Sequence, residues 1–176
     1  MFEMLAVAVA VLAFVAAEAS GQPPAPAVVV TVENRGEFTL ELWPQDAPNH
    51  VKNFLDLARK GFYDGQRVHR VEPGFVVQFG DPQTKTLPLS DPRIGTGGPG
   101  YTIKAEFNRR PFERGVLGMA RTQDPDSAGS QVYIMLGPAP HLNGKYTAFG
   151  RVTRGMDVVD RITVGDRIAR VRVVEK

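Results

Sequence analysis

Four residues able to do chemistry interrupt the valine- and phenylalanine-rich stretch "RVHRVEPGFVVQFGD" at residues 67–81: His69, Arg70, Glu72 and Gln78. Arginine supplies a permanent positive charge and a planar fork of hydrogen-bond donors. Glutamine both donates and accepts through its amide. In a strand, alternation places Arg70 on the face of Val68 and Gln78 on the face of Val76. Two readings follow from this pattern. The polar residues either face water from an amphipathic strand, or they line a site that holds a ligand through hydrogen bonds.

Other chemistries are poorly supported. The 176 residues include no cysteine, which removes disulfides, thiolate zinc sites and cysteine nucleophiles. The histidines His50, His69 and His141 lack the short spacing of metal ligands, and there is no HExxH. Ser127 and Ser130 sit in no G-x-S-x-G elbow, so a serine triad has no anchor. "GTGGPG" at 95–100 satisfies a dinucleotide fingerprint only as a string, since a loop precedes it and no helix follows. "DPDSAG" at 124–129 lacks the glutamate and flanking helix of a calcium loop and reads as a polar turn. Glu72 and Glu106 have no special context and read as solvated. A net charge of +2 without a basic, aromatic-interleaved run argues against nucleic acid.

The elements that must position Arg70 and Gln78 are mostly strands. A composition of 43% hydrophobic and 23% charged residues fits one ordinary domain, and 18 glycines with 14 prolines favour turns and β structure. Residues 28–34 and 37–43 form a hairpin pattern around "RG". The next segment predicts a helix with Asp46 as N-cap and Pro48 in the first turn. Its apolar stripe is Val51, Phe54, Leu55 and Ala58, and Gly61 is its stop. Strand-like runs follow on both sides of Pro73-Gly74, then a long loop at 82–100. Further strands are expected in "YTIKAEF", "GVLGMAR", "QVYIML", "YTAFGRV" and "RIARVRVVE", with a short helix at 156–162. The chain opens with an apolar run at 4–17, an A-x-A at 17–19 and the Pro-rich "SGQPPAPA". That order predicts a signal peptide at 1–19, a linker at 20–27 and one domain at 28–176. The n-region has no Lys or Arg, and an uncleaved anchor is the alternative.

Read together, the segments resemble the cyclophilins, the peptidyl-prolyl cis-trans isomerases. "VHRVEPGFVVQFGD" is similar to their central motif. "NFLDLARKGFYDG", "GTGGPGYTIKAEF", "GVLGMARTQDPDSAGSQVYI" and "LNGKYTAFGRVTRGMDVVDRI" follow in the family's order, so the resemblance covers roughly residues 30–174 in the style of the compact bacterial branch. It implies a mainly β fold: a closed eight-stranded antiparallel β-barrel capped by two α-helices, with the active site on the outer face. It further implies that Arg70 is the catalytic arginine and Gln78 its supporting glutamine. Phe75 would form the floor of a proline pocket, with Val76, Tyr133 and Leu142 as walls. Ala120, Arg121 and Thr122 would pair with client backbone, and Gln131 is a further site glutamine. His141 stands where many members have an aromatic residue, often tryptophan, and Tyr146 where many have histidine.

Several positions depart from the family pattern. Tyr133 replaces phenylalanine, Val76 a larger methionine, Phe79 a glycine and Glu72 an aliphatic residue. The expected partners are proline-containing polypeptide clients, met by an exported monomer in the periplasm or outside the cell. Cyclosporin affinity is expected to be weak because of His141, and nothing in the sequence calls for a cofactor or metal. The competing reading from a different class is a non-catalytic, chaperone-like module that binds proline segments.

Overall fold

The structure, a computed structural model, describes residues 25–174. The expected signal peptide and residues 20–24 of the expected linker lie outside them. Strand β1 (Ala27–Val32) alternates half-buried and buried positions and pairs with β2 (Gly36–Leu42) across a turn in which Asn34 has a φ of 60°. Val28, Val30 and Val32 meet Phe38, Leu40 and Leu42 on the inner face, all essentially inaccessible. Six more strands complete the sheet: β3 (Arg70–Glu72), β4 (Val76–Phe79), β5 (Val116–Met119), β6 (Val132–Met135), β7 (Ala148–Arg154) and β8 (Ile168–Val174). Every pairing is antiparallel, in the order β3-β4-β6-β5-β7-β2-β1-β8.

That order corrects the expectation of a closed barrel. The sheet is a strongly curled, open half-barrel. Among the described residues its edge strands β3 and β8 form no ladder with each other. The stretches 65–68, before β3, and 165–168, at the start of β8, are joined by the isolated Arg67–Arg167 bridge and by backbone hydrogen bonds such as Val68 N to the Asp166 carbonyl (2.9 Å). The backbone N–H of Arg67 donates to Thr84 Oγ1 (3.0 Å), and its guanidinium reaches the carbonyls of Thr84 and Leu87. These bonds tie the 82–100 loop to the chain just before β3.

Helix α1 (Pro48–Arg59) and helix α2 (Met156–Asp160) cap the half-barrel. Phe54 of α1 enters an aromatic core with Tyr63, Phe79 and Phe149, at centroid distances of 5.1–6.1 Å. The expected cap Asp46 is not the N-cap; Ala47 is, and it makes no side-chain cap bond. The carboxylate of Glu106 does the capping from outside the helix, accepting from the N–H groups of Asn49 (3.0 Å) and His50 (2.9 Å). Asp46 pairs with Arg110 at 2.7 Å instead. Glu106, read from sequence as merely solvated, therefore holds the helix start. "YTIKAEF" is also corrected: it is irregular apart from one bridge between Ile103 and Ala128, and it leaves Tyr101 and Phe107 about half exposed. The 82–100 loop contains a short 3-10 turn, Pro82–Lys85, and another at Pro140–Leu142 precedes β7.

Candidate active site

Strands β4, β5 and β6 are buried at every position. They read as continuous apolar runs because both of their faces are covered. Inward, Val77, Phe79, Leu117, Met119, Val132 and Ile134 join the main core. Outward, Val76, Tyr133 and Met135 join a second cluster with Trp43, Phe112, Val116 and Leu142, against which Phe75, Ala120 and Tyr146 pack. Tyr133 pairs across the ladder with Gly118, and a Cβ at that position would overlap the Tyr133 ring. The glycine is what lets the ring lie flat on the sheet. Phe112 stacks on Tyr133 at 5.9 Å and Tyr146 meets its edge at 6.3 Å. The Tyr133 hydroxyl is buried without a hydrogen-bond partner among the described residues, and burial pushes its pKa well above the usual phenol value.

Phe79, which stands next to Gln78 where the family pattern has a glycine, points the other way, into the core against Tyr63. Val68 is likewise inaccessible in the core, while Arg70 is on the outside. The strict alternation expected from Val68 to Arg70 fails because regular β3 begins only at Arg70.

Above this apolar floor runs a chain of hydrogen bonds. Arg70 stands opposite Gln78 in the β3–β4 register, and its Nη1 donates to Gln78 Oε1 at 3.1 Å. Gln78 Nε2 donates to Gln131 Oε1 at 3.0 Å. Gln131 Nε2 donates to the carbonyls of Gly95 (2.9 Å) and Gly97 (2.8 Å). Since Gln131 Oε1 is an acceptor, His69 Nε2, at 3.1 Å from it, must carry the proton. Burial holds the His69 pKa below 6.5, Arg70 adds to this, and Asp81 and Gln131 oppose it. Asp81 fixes the far end, accepting from Gly95 N at 2.6 Å and from Gln83 N at 2.8 Å. The guanidinium carbon of Arg70 lies 5.8 Å from the centre of the Phe75 ring.

The open depression beside Arg70 has a volume of about 550 Å³. Of the residues singled out in the sequence, Arg70, Phe75, Val76 and Gln78 line it from one side, and Ala120, Arg121, Tyr133, Leu142 and Tyr146 from the other. Arg121 stacks 4.3 Å over the Tyr146 ring and donates to the carbonyl of Lys145. Three of the singled-out residues are not among its walls. Thr122 and Gln131 face an adjoining depression of about 470 Å³. His141 is exposed and stacks on Phe75 at 5.9 Å. His69, noted in the sequence but given no role, completes the wall with Leu89, Asp91, Ile94 and Gly95, which sequence reasoning missed. The four loop residues carried no periodic signal. His69 was legible only as the neighbour of Arg70.

Comparison with known proteins shows the family. Residues 27–176 match the family described as cyclophilin type peptidyl-prolyl cis-trans isomerase/CLD. The chain belongs to that family. It is 45% identical over 150 residues to a probable peptidyl-prolyl cis-trans isomerase of Brucella suis, covering 84% of this chain and 76% of that protein. Peptidyl-prolyl cis-trans isomerase B of Bacillus subtilis is 45% identical over 144 residues, 81% of this cyclophilin and 94% of the relative. A solved cyclophilin of Cryptosporidium parvum superposes with a TM-score of 0.76 at 26% identity, covering 86% of this chain and 99% of the other. The same C. parvum protein, solved in the presence of the dipeptide Ala-Pro, gives a TM-score of 0.73 at 26% identity, with 85% and 99% covered.

Proposed function

We propose that this cyclophilin accelerates rotation about X–Pro bonds in unfolded or partly folded polypeptides, with Arg70 as the catalytic group on the outer face of the half-barrel. It is a peptidyl-prolyl cis-trans isomerase, as its family membership and its relatives indicate. The observation that carries the residue assignment is the Arg70 fork held by Gln78 at the edge of an apolar depression. An X–Pro bond resists rotation with a barrier of about 20 kcal/mol because the prolyl nitrogen shares its lone pair with the carbonyl. No covalent bond need break. A donor aimed at that nitrogen as its lone pair emerges favours the twisted state over the planar one, and only such a difference speeds rotation. Phe75, Val76, Tyr133 and Leu142 would hold the ring while the chain turns. The proline dipeptide used with the C. parvum relative supports a proline-containing client here.

The test is a cis-to-trans assay on an X-Pro peptide. Wild type is expected to accelerate the reaction, and Arg70→Ala to lose most of the acceleration while remaining folded. An Arg70→Ala variant as fast as wild type would overturn the assignment. Peptide binding by a wild type that does not accelerate rotation would favour the non-catalytic module.

The apolar run at 4–17 and the A-x-A at 17–19 support export, with the periplasm or exterior as the place of work. N-terminal sequencing of the exported protein is expected to begin near Ser20. A soluble cytosolic species retaining Met1 would contradict this. We also expect a monomer with weak cyclosporin affinity, since His141 stands where the family pattern has a larger ring.

A further inference from the structure

The Arg70 guanidinium has a second polar partner that the family pattern lacks. On β3, a three-residue edge strand, residues two apart share a face, so Arg70 and Glu72 are neighbours on the outside. Glu72 Oε1 accepts from Arg70 Nε at 3.0 Å and from Nη2 at 2.6 Å. Both side chains are about half exposed, at 42% and 50%. A pair so exposed contributes only about 0–1 kcal/mol to stability, so its significance is geometric.

A guanidinium carries five N–H donors. Glu72 engages the side edge formed by Nε and one proton of Nη2, and Gln78 engages one proton of Nη1. The two donors left over are one on Nη1 and one on Nη2. They belong to the groups at the tip of the side chain. With Glu72 fixing one edge and Gln78 the other amino group, rotation of the plane about its own axis is restrained at two points. An aliphatic residue at 72 would leave only the Gln78 contact and the Phe75 ring to restrain it.

Resting on the isomerase reading above, we infer that Glu72 is a positioning residue: it turns the Arg70 fork so that its terminal Nη1 and Nη2 protons, and not its side edge, meet the rotating prolyl amide. The carboxylate has a second, opposite effect, because its negative charge offsets part of the arginine's field. Were that effect dominant, removing Glu72 would speed the enzyme. Glutamine separates the two, since it retains the accepting oxygen and loses the charge.

The experiment measures kcat and KM for cis-to-trans isomerisation of an X-Pro peptide by wild type, Glu72→Gln, Glu72→Ile and Arg70→Ala, with the unfolding midpoint of each. A misaligned donor costs rate more than binding. Glu72→Ile is therefore expected to lose about tenfold in kcat with KM changed by less than about twofold. Glu72→Gln is expected to stay within about twofold of wild type. All midpoints are expected to remain close to that of wild type, which an exposed pair permits. Faster turnover in both Glu72 variants would overturn the inference in favour of charge attenuation. So would equal losses in both, or no change in either. Failure of wild type itself to accelerate rotation would instead sink the isomerase reading, whatever the Glu72 variants do.

Discussion

The two faces of β4 are built by different physics. Val77 and Phe79 point inward and are held by packing, with Phe79 edge-on to the Tyr63 ring at 6.1 Å. Val76 and Gln78 point outward, and Gln78 is held by directed bonds to Arg70 and Gln131. One strand thus carries the fold on one side and the chemistry on the other. The inner face tolerates no loss of volume. The outer face depends on the alignment of donors and acceptors that reach it from β3, β6 and the 82–100 loop. Damage to one face should therefore appear in stability, and damage to the other in rate.

Phe79→Ala gives the largest expected break. Emptying a fully buried phenylalanine site costs about 3–5 kcal/mol, a large share of the roughly 5–15 kcal/mol that holds a domain together. Denaturant unfolding should show that loss, while the fraction that remains folded retains an intact Arg70–Gln78–Gln131 chain. Loss of activity in that fraction would show that the two faces are not separable.

Acid should act on both faces at once. Burial lowers the pKa of His50 below 6.5 against the opposing pull of Glu106, and it lowers that of His69 as well. As pH falls below about 6.5, the unfolded chain takes up protons that the folded chain resists, so stability is lost on the acid side and is flat above it. Burial by itself would raise the Glu106 pKa, but bonds from Asn49 and His50 outweigh it and hold the carboxylate ionised. The unfolding midpoint should drop between about pH 7 and pH 5, and less steeply in His50→Gln. An unchanged slope in that variant would mean His50 is not a source of the acid sensitivity.

Tyr133→Phe is expected to have the smallest effect, and of opposite sign. Removing a buried hydroxyl with no partner among the described residues relieves a desolvation cost of about 1–3 kcal/mol, of which about 1 kcal/mol should appear as added stability. The outer cluster keeps its ring, so isomerisation should stay near the wild-type rate. Destabilisation on calorimetry would mean that the hydroxyl has a partner.

What the sequence disclosed follows the same division. The inner face was legible because burial imposes a period: the β1–β2 hairpin and the α1 stripe appear close to where alternation and spacing put them. Local pattern failed where a distant residue decides. The α1 cap belongs to Glu106, far along the chain from Asp46, and no local rule points to it. "YTIKAEF" alternates like a strand, but among the described residues it pairs only through the single Ile103–Ala128 bridge. Closure of the barrel likewise failed because β3, only three residues long, pairs with β4 alone, and contact with β8 is confined to the residues before it. On the outer face, Arg70 and Gln78 were visible as residue types, but alternation alone left them facing water. The loop wall of Leu89, Asp91 and Ile94 is set by the hold of Asp81 and Arg67 on irregular backbone, and it left no periodic trace.

The central claim is that the outer face works through an aligned fork and not through positive charge as such. Arg70→Lys tests this most directly, because lysine keeps the charge and loses the planar pair of donors. Measured side by side, kcat/KM is expected to fall by at least about tenfold while the unfolding midpoint stays at the wild-type value. Wild-type kcat/KM in Arg70→Lys would contradict the claim.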